Sequence, residues 1–193
     1  MEQPGWAATV GATIAAEVRR HRQAQGISAQ QLADACTELG GSMPRVVISN
    51  IENGRRGNIS VAEVTLLAAA LKVPPIALLY PIGYVDEVEL LPGRMVSPIE
   101  AADWWDGANA GEDTALQLMR RHRWLVTRIR RLYKTNWEQA ISDYRWGGAP
   151  GGPEADAARE VADGLTTELH ELRDEITRRG LTLPPLEGLD RPV

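Results

Sequence analysis

Five short helical patterns follow one another between residues 13 and 79, and this succession limits the folds open to the chain more than any other feature. The predicted helices cover about residues 13–25, 29–39, 43–53, 61–71 and 75–80. Each carries apolar residues three or four positions apart, which places them on one face of a helix. Five short helices bury such faces only against one another. The sequence therefore predicts an all-α N-terminal domain over residues 1–80.

The ends of these helices are marked by residues that start or stop a helix. Gly26 ends the first helix, and Ser28 and Ser60 are suited to cap the second and the fourth. We expect Ser42 to cap the third helix and Pro44 to lie in its first turn, where a missing N–H costs little. The local signals thus agree with the periodicity.

The third predicted helix closes on Ile51-Glu52-Asn53-Gly54, and Arg55-Arg56 follows at once. Two guanidinium groups directly after a helix end are placed to lie along a phosphate backbone. Val47, Ile48 and Ile51 face the core in this pattern. The residues left for the outer face are Arg45, Val46, Ser49 and Asn50.

Residues 13–79 resemble the helix-turn-helix domain of the phage repressor and Cro-like family, also called the xenobiotic-response-element family. The stretches that carry the resemblance are Gly26-Ile27-Ser28, Gln31-Leu32-Ala33, Ile48-Ser49-Asn50-Ile51-Glu52-Asn53-Gly54-Arg55 and Leu67-Ala68-Ala69-Ala70-Leu71-Lys72-Val73. The resemblance implies a five-helix, lambda-repressor-like DNA-binding domain whose third helix enters the major groove. Two departures stand out. The connection through residues 38–42 is five residues longer than the family spacing, and Ala29 replaces a common glutamine.

The resemblance and side-chain chemistry together assign DNA contacts. Base contacts are predicted from an arginine to guanine, an asparagine to adenine and a valine to a thymine methyl group, with a serine beside them. The residues concerned are Arg45, Val46, Ser49 and Asn50. Phosphate contacts are predicted for Ser28, Gln30, Asn53, Arg55 and Arg56. In the family, an arginine late in the first helix pairs with the glutamate before the Asn-Gly turn, so Arg22 and Glu52 are the expected structural pair.

Charge is distributed unevenly along the chain. The formal net charge is -5, so a DNA-facing surface must be local. The single cysteine, Cys36, excludes an intramolecular disulfide and a cysteine-based zinc cluster. No apolar stretch reaches membrane-spanning length. We expect a soluble cytoplasmic protein without membrane association, located at the nucleoid when it is bound to DNA.

The remaining chain predicts a linker, a helical hairpin and a tail. Residues 81–111 contain repeated Pro and Gly and include one possible short strand, so they are predicted as a linker. Two long helical patterns follow at 112–146 (net charge +4) and at 154–179, and opposite charges favour an antiparallel hairpin over residues 112–180, with a tail at 181–193. The second helix carries a coiled-coil-like heptad seam, which is the predicted dimer or partner surface. That seam includes Leu165, Leu169, Leu172 and Ile176.

Two sets of residues have two interpretations each. The basic run at 120–134 is either a second nucleic-acid patch or, as the sequence favours, the solvated face of a helix. The tryptophans either line an effector pocket or fill the core of the C-terminal part, and the lack of phenylalanine favours the core. The tryptophans in question are Trp104, Trp105, Trp124, Trp137 and Trp146.

The predicted function is a sequence-specific, double-stranded-DNA-binding transcriptional regulator, a repressor-like homodimer that reads a palindromic operator. The alternative is an antitoxin or adaptor protein whose C-terminal hairpin binds a partner protein, so that DNA binding serves autoregulation. A small effector at the C-terminal region is a further possible ligand. His21, His122 and His170 share no ligand spacing, and no nucleophile with a base is visible. We therefore expect no enzymatic activity, no metal and no other cofactor.

Overall fold

The computed structural model describes residues 5–108, 114–145 and 153–186, with side chains described outside 135–155. This part of the chain is predominantly helical, which confirms the predicted all-α class, and a single two-stranded sheet interrupts the helices. The chain divides into two compact units, Met1–Asp106 and Gly107–Val193. None of the helices in the described ranges is both long and apolar enough to cross a bilayer.

The first unit contains six helices and one hairpin among its described residues. In chain order these elements are α1 (Trp6–Ala24), α2 (Ala29–Glu38), α3 (Arg45–Glu52), α4 (Val61–Ala70), α5 (Ile76–Leu79), β1 (Val88–Leu91), β2 (Arg94–Val96) and α6 (Pro98–Asp106). The second unit contains α7 (Ala115–Arg145) and α8 (Pro153–Arg178).

The first five helices share one hydrophobic core. Each of them contributes at least one fully buried apolar side chain, and complete burial of such a side chain stabilises the fold by about 1.5–3 kcal/mol. One such residue from each helix is Val18, Leu32, Ile48, Leu67 and Leu78. The apolar faces predicted from helical spacing therefore meet in this cluster.

α1 begins at Trp6, seven residues before the predicted start at residue 13. Gly11 lies inside this added stretch and is buried against the loop that follows α3. A Cβ atom at this position would overlap the carbonyl oxygen of Gly57. Glycine disfavours helix by about 1 kcal/mol relative to alanine, so the sequence pattern stops short of it. The packing of Gly11 against Gly57 therefore stabilises the helical conformation of residues 6–12.

We expect Gly11→Ala to lower the free energy of unfolding by about 1–3 kcal/mol, because the added methyl group meets backbone that has no room to yield. Gly164→Ala in α8 is the matched control. Nothing lies within 4 Å of a Cβ atom there, so it is expected to stabilise by about 0.5–1 kcal/mol. Urea unfolding, monitored by circular dichroism, measures the change in the free energy of unfolding for both variants. Equal effects of the two substitutions would contradict the close approach to Gly57.

α3 begins after Pro44, so the prediction that Ser42 caps it is wrong. Pro44 occupies the N-cap with extended backbone, no side chain caps this end, and Ser42 is exposed. A residue before proline is disfavoured in helical conformation, so Met43 stays outside the helix. Its side chain is 2% exposed and belongs to the core. The long connection between α2 and α3 is therefore anchored by Met43.

Residues 88–106, which the sequence assigned to a linker, form regular structure that belongs to the first unit. β1 and β2 pair as an antiparallel hairpin whose turn contains Gly93 at φ 78°. α6 follows, and Leu90, Ala101 and Ala102 form a small core with Tyr80. A two-stranded sheet is barely stable alone, so this second core is what supports the hairpin.

α7 and α8 pack along each other and form the second unit. The seven residues between them reach at most about 25 Å, less than the roughly 46 Å of a 31-residue helix, so the two helices run antiparallel. The predicted seam residues all lie in this contact, against apolar side chains of α7. They are Leu165, Leu169, Leu172 and Ile176, and they face Leu118, Leu125, Val126 and Ile129. The seam predicted for a dimer or partner is thus occupied within the chain.

The described tryptophan side chains do not fill a core. Trp104 and Trp105 of α6 and Trp124 of α7 are 48%, 51% and 57% exposed. The core interpretation is therefore wrong for these three residues. In α7, the positions that face α8 are already taken by a regular row of aliphatic residues, and Trp124 falls outside that row. Trp137 and Trp146 lie outside the described side chains.

His122 of α7 is a buried polar residue at the contact between α7 and α8, with 2% of its surface exposed. Its Nε2 atom lies 2.8 Å from Nη1 of Arg173, which also donates to the carbonyl oxygen of Pro184 at 2.8 Å. Because arginine only donates, Nε2 must accept and the imidazole is neutral. Burial, together with the Arg173 charge, lowers the pKa of His122. The network joins α7, α8 and the segment after α8.

Because the folded pKa of His122 is depressed, we expect the second unit to be stable above about pH 6.5 and to lose stability as pH falls below that value. In the unfolded chain the imidazole binds a proton that the folded state excludes. His122→Gln keeps an acceptor near Arg173 and should remove this part of the pH dependence. Thermal unfolding between pH 5 and 8 tests it. The exposed His170, changed to Gln, should leave the dependence unchanged.

Candidate nucleic-acid interface

α3 has a buried face and an accessible face. Ile48 and Ile51 are fully buried in the core. On the other side lie the four predicted base-contacting residues, whose spacing of one, three and one positions places them on a single helix face. Arg45 and Val46 are exposed, and Ser49 and Asn50 are half-buried. The structure therefore brings these four side chains together on one accessible surface.

The start of α2 is closed by a reciprocal cap. The Ser28 hydroxyl oxygen accepts a hydrogen bond from the Gln31 N–H at 3.2 Å, and the Gln31 side-chain oxygen accepts from the Ser28 N–H at 2.8 Å. Gln30 is exposed, and its amide donates to Asp34 at 2.8 Å. The first N–H groups of a helix lack intrahelical acceptors and attract anions. Both residues that were predicted to contact phosphate, Ser28 and Gln30, thus lie at this end of α2.

Arg22 and Glu52 join the end of α1 to the last residue of α3. Arg22 donates from Nε and Nη2 to the two carboxylate oxygens of Glu52, at 2.6 and 2.7 Å, and from Nη1 to the carbonyl oxygen of Ile27 at 2.8 Å. The two side chains are only 14% and 8% exposed. The bonds to Glu52 raise the pKa of Arg22. A two-pronged pair of this kind fixes distance and orientation together, so it holds α3 against α1.

The end of α3 turns sharply and presents the predicted phosphate-contacting residues. Gly54 has φ 67°, a conformation that side chains disfavour, and the N–H groups of Arg55 and Arg56 both donate to the carbonyl oxygen of Asn50. Asn53 and Arg55 are exposed on this turn. Their side chains therefore lie at the edge of the face that carries Asn50.

Arg56 differs from Arg55 because it pairs with α4. Its Nη2 atom lies 2.7 Å from Oε1 of Glu63, which also forms the cap of α4 with Ser60. Although burial opposes the shift, the hydrogen bonds from Ser60 and the Arg56 charge hold the pKa of Glu63 below its usual range. Arg56 can meet a phosphate only while sharing its charge with Glu63. Arg55 is the better placed of the two cations.

Three residues that shape this surface were not singled out from the sequence. Gly41 lies in the long turn before α3, where a Cβ atom would overlap the side chain of Leu66 in α4. Gln25 donates to the carbonyl oxygen of Leu71 at 2.6 Å and so closes the end of α4. Gly11 holds the loop after α3. The sequence carries no signal for the contact of Gly11, because the helical pattern begins only at about residue 13.

Comparison with known proteins assigns the domain that carries this surface. Residues 18–78 match the family model described as helix-turn-helix. Residues 18–78 are a helix-turn-helix domain. This confirms the predicted resemblance to the repressor and Cro-like family.

Part of the chain is also similar to a curated protein. The HTH-type transcriptional repressor RghR of Bacillus subtilis strain 168 is 51% identical over 41 residues, which are 21% of this chain and 30% of the relative. The chain thus spans less than a third of that protein. No solved structure matches the chain. Within the described ranges, no three His, Cys, Asp or Glu side chains are grouped so that they could hold a metal ion.

Proposed function

We propose that this chain is a transcriptional regulator that binds double-stranded DNA with α3 in the major groove. The observation that carries the proposal is the accessible row of Arg45, Val46, Ser49 and Asn50 on a helix whose other face is fully buried. A helix presented in this way reads base edges from one side. The similarity of 41 residues of the chain to part of a transcriptional repressor supports the same function.

The proposal includes a homodimer on a palindromic operator. One helix-turn-helix domain covers a single half-site, and two copies related by a two-fold axis read half-sites about one helical turn apart. The dimer contact must lie outside the α8 seam, because Leu169, Leu172 and Ile176 are buried against α7. Sedimentation with and without a palindromic duplex measures the stoichiometry.

Selection of bound duplexes from a random library tests the reading function. We expect wild-type protein to enrich a palindrome, and Arg45→Ala and Asn50→Ala each to weaken binding by about 1–3 kcal/mol and to relax preference at one base position. Arg128→Ala on α7 is the matched control, because Arg128 is also an exposed arginine. It should change neither affinity nor preference.

The outcomes separate the two interpretations of the basic residues. Loss of affinity in Arg128→Ala, with preference unchanged in Arg45→Ala and Asn50→Ala, would move the DNA-binding surface to α7 and contradict the proposal. For α3 in the groove, binding must also weaken steeply with added salt, since phosphate contacts release counterions. Binding that is insensitive to salt would count against it.

A further inference from the structure

A groove of about 680 Å³ lies within the first unit, between α1, α4 and the segment that contains the hairpin and α6. Three indole rings form part of its wall: Trp6 of α1 and Trp104 and Trp105 of α6. Aliphatic side chains such as Ile59 and Val61 complete it. Pockets of about 300–1,000 Å³ with mainly apolar and aromatic walls are typical of small-molecule sites. We call it the indole groove.

Two of the three indole rings are held in place although they are partly exposed. The Trp6 indole N–H donates to the carbonyl oxygen of Glu89 at 3.1 Å, which ties α1 to β1. Trp105 packs edge-on against Tyr80, with ring centroids 6.5 Å apart at an interplanar angle of 72°. Trp6, Trp104 and Trp105 nevertheless remain 37%, 48% and 51% exposed. Such preorganised but uncovered aromatic surface is characteristic of a binding site rather than of a finished core.

The charge of the indole groove indicates the class of ligand. Two carboxylates, Glu87 and Glu89, belong to its lining, and among the lining residues there is no lysine, arginine or histidine. Thr13 and Thr65 also line it, but their hydroxyls already donate to helix carbonyl oxygens. The wall therefore offers aromatic faces and negative charge, and no positively charged side chain belongs to it. Cations are attracted to both features.

We propose that the indole groove binds a small aromatic cation. Its apolar rings would contact Trp104 and Trp105, and its positive charge would lie near Glu87. A second copy of the chain is a poorer occupant, because a two-fold contact here would bring the acidic 81–111 segments of both copies together. The segment 81–111 carries six acidic residues against one basic residue.

The indole groove is connected to the proposed DNA-binding surface, and this part of the inference rests on the proposed function. Ile59 and Val61 line the groove and flank Ser60, the cap of α4. The cap partner Glu63 holds Arg56, in the loop that begins at the end of α3. A ligand that displaces Ile59 or Val61 must therefore disturb the loop that carries Arg55 and Arg56. We expect occupancy to change DNA affinity.

Calorimetric titration of the full chain with tetraphenylphosphonium tests the site, and tetraphenylborate, which has the same shape and the opposite charge, is the control ligand. We expect the cation to bind at one site per chain and the anion at least about tenfold more weakly. Trp104→Ala should weaken the cation about tenfold by removing one aromatic wall. Glu87→Gln should weaken the cation and leave the anion unchanged.

Matched variants in the second unit complete the test. Trp124→Ala removes a comparably exposed indole, and Glu160→Gln removes an exposed carboxylate, so neither should alter cation binding. Equal affinity for cation and anion, or cation binding unaffected by both Trp104→Ala and Glu87→Gln, would overturn the site. A shift from dimer to monomer in Trp104→Ala, without cation binding by wild type, would assign the groove to self-association and also overturn it.

The link to DNA has its own measurement, which is fluorescence anisotropy of a selected duplex with and without tetraphenylphosphonium. We expect a severalfold change in affinity that Trp104→Ala abolishes. Cation binding without this change would refute the link and leave the site standing. Failure of the ligand-free protein to bind any duplex would refute the proposed function, while the calorimetric titration would still decide the site.

Discussion

Glu52→Ala is expected to lower the free energy of unfolding of the first unit by about 3–5 kcal/mol. The substitution leaves the guanidinium of Arg22 with only 14% of its side chain exposed and without its carboxylate partner. An unpaired charge in such a place cannot recover its hydration. The remaining bond from Arg22 to the Ile27 carbonyl oxygen does not neutralise it. Urea unfolding at neutral pH gives the difference directly.

Arg56→Ala is the matched control for Glu52→Ala. It also removes one partner of an arginine–glutamate pair, but Arg56 and Glu63 are 40% and 21% exposed, so the expected effect is about 0–1 kcal/mol. The double variant Arg22→Met/Glu52→Leu removes both charges and should recover much of the stability lost in Glu52→Ala. If Glu52→Ala cost no more than Arg56→Ala, the pair would not hold α3 in place.

The parts of the domain that could be predicted are those set by neighbouring residues. Ser28 with Gln31 and Ser60 with Glu63 are three apart, and such a spacing defines a cap within one turn. Gly54 ends α3 because only the local backbone conformation matters there. The row from Arg45 to Asn50 follows from helical periodicity alone. The pairing of Arg22 with Glu52, 30 residues apart, came from family resemblance and not from spacing.

The parts that could not be predicted depend on contacts between distant segments. The first turns of α1 exist because Gly11 meets Gly57, 46 positions further along the chain, and nothing near Gly11 signals that contact. Met43 leaves α3 to enter the core, whereas its local pattern also suits a first helical turn. The hairpin of β1 and β2 needed its partner α6, and the Pro and Gly residues around it favoured a linker.

The exposure of the tryptophans shows that amino-acid composition alone does not predict which residues form the core. A chain without phenylalanine still needs large side chains in its core, which made core positions the natural place for tryptophan. Here aliphatic residues fill the contact between α7 and α8, and Trp124 remains outside it. Trp104 and Trp105 line the indole groove of the first unit together with Trp6. These tryptophans therefore form part of a surface groove, and amino-acid composition alone does not show which residues lie at the surface.

Ile176→Ala is expected to destabilise the second unit by about 2–5 kcal/mol, because its side chain is fully buried between α8 and α7 and a cavity would remain. Val161→Ala on the same helix is the matched control. Val161 is 50% exposed, so its truncation should change the free energy of unfolding by no more than about 0.5 kcal/mol. Thermal unfolding with hydrogen exchange resolved to α7 and α8 measures both.

The dependence of the unfolding temperature on protein concentration shows whether the α8 seam packs within one chain or between two chains. If Ile176 packs within one chain, the destabilisation is the same at every protein concentration, since folding of the hairpin is then a unimolecular event. If the seam instead joined two chains, the unfolding temperature of the wild type would rise with concentration, and Ile176→Ala would reduce the fraction of dimer. A concentration-dependent effect of Ile176→Ala would therefore contradict the packing of Leu172 and Ile176 against α7. It would indicate instead that the seam forms the dimer contact.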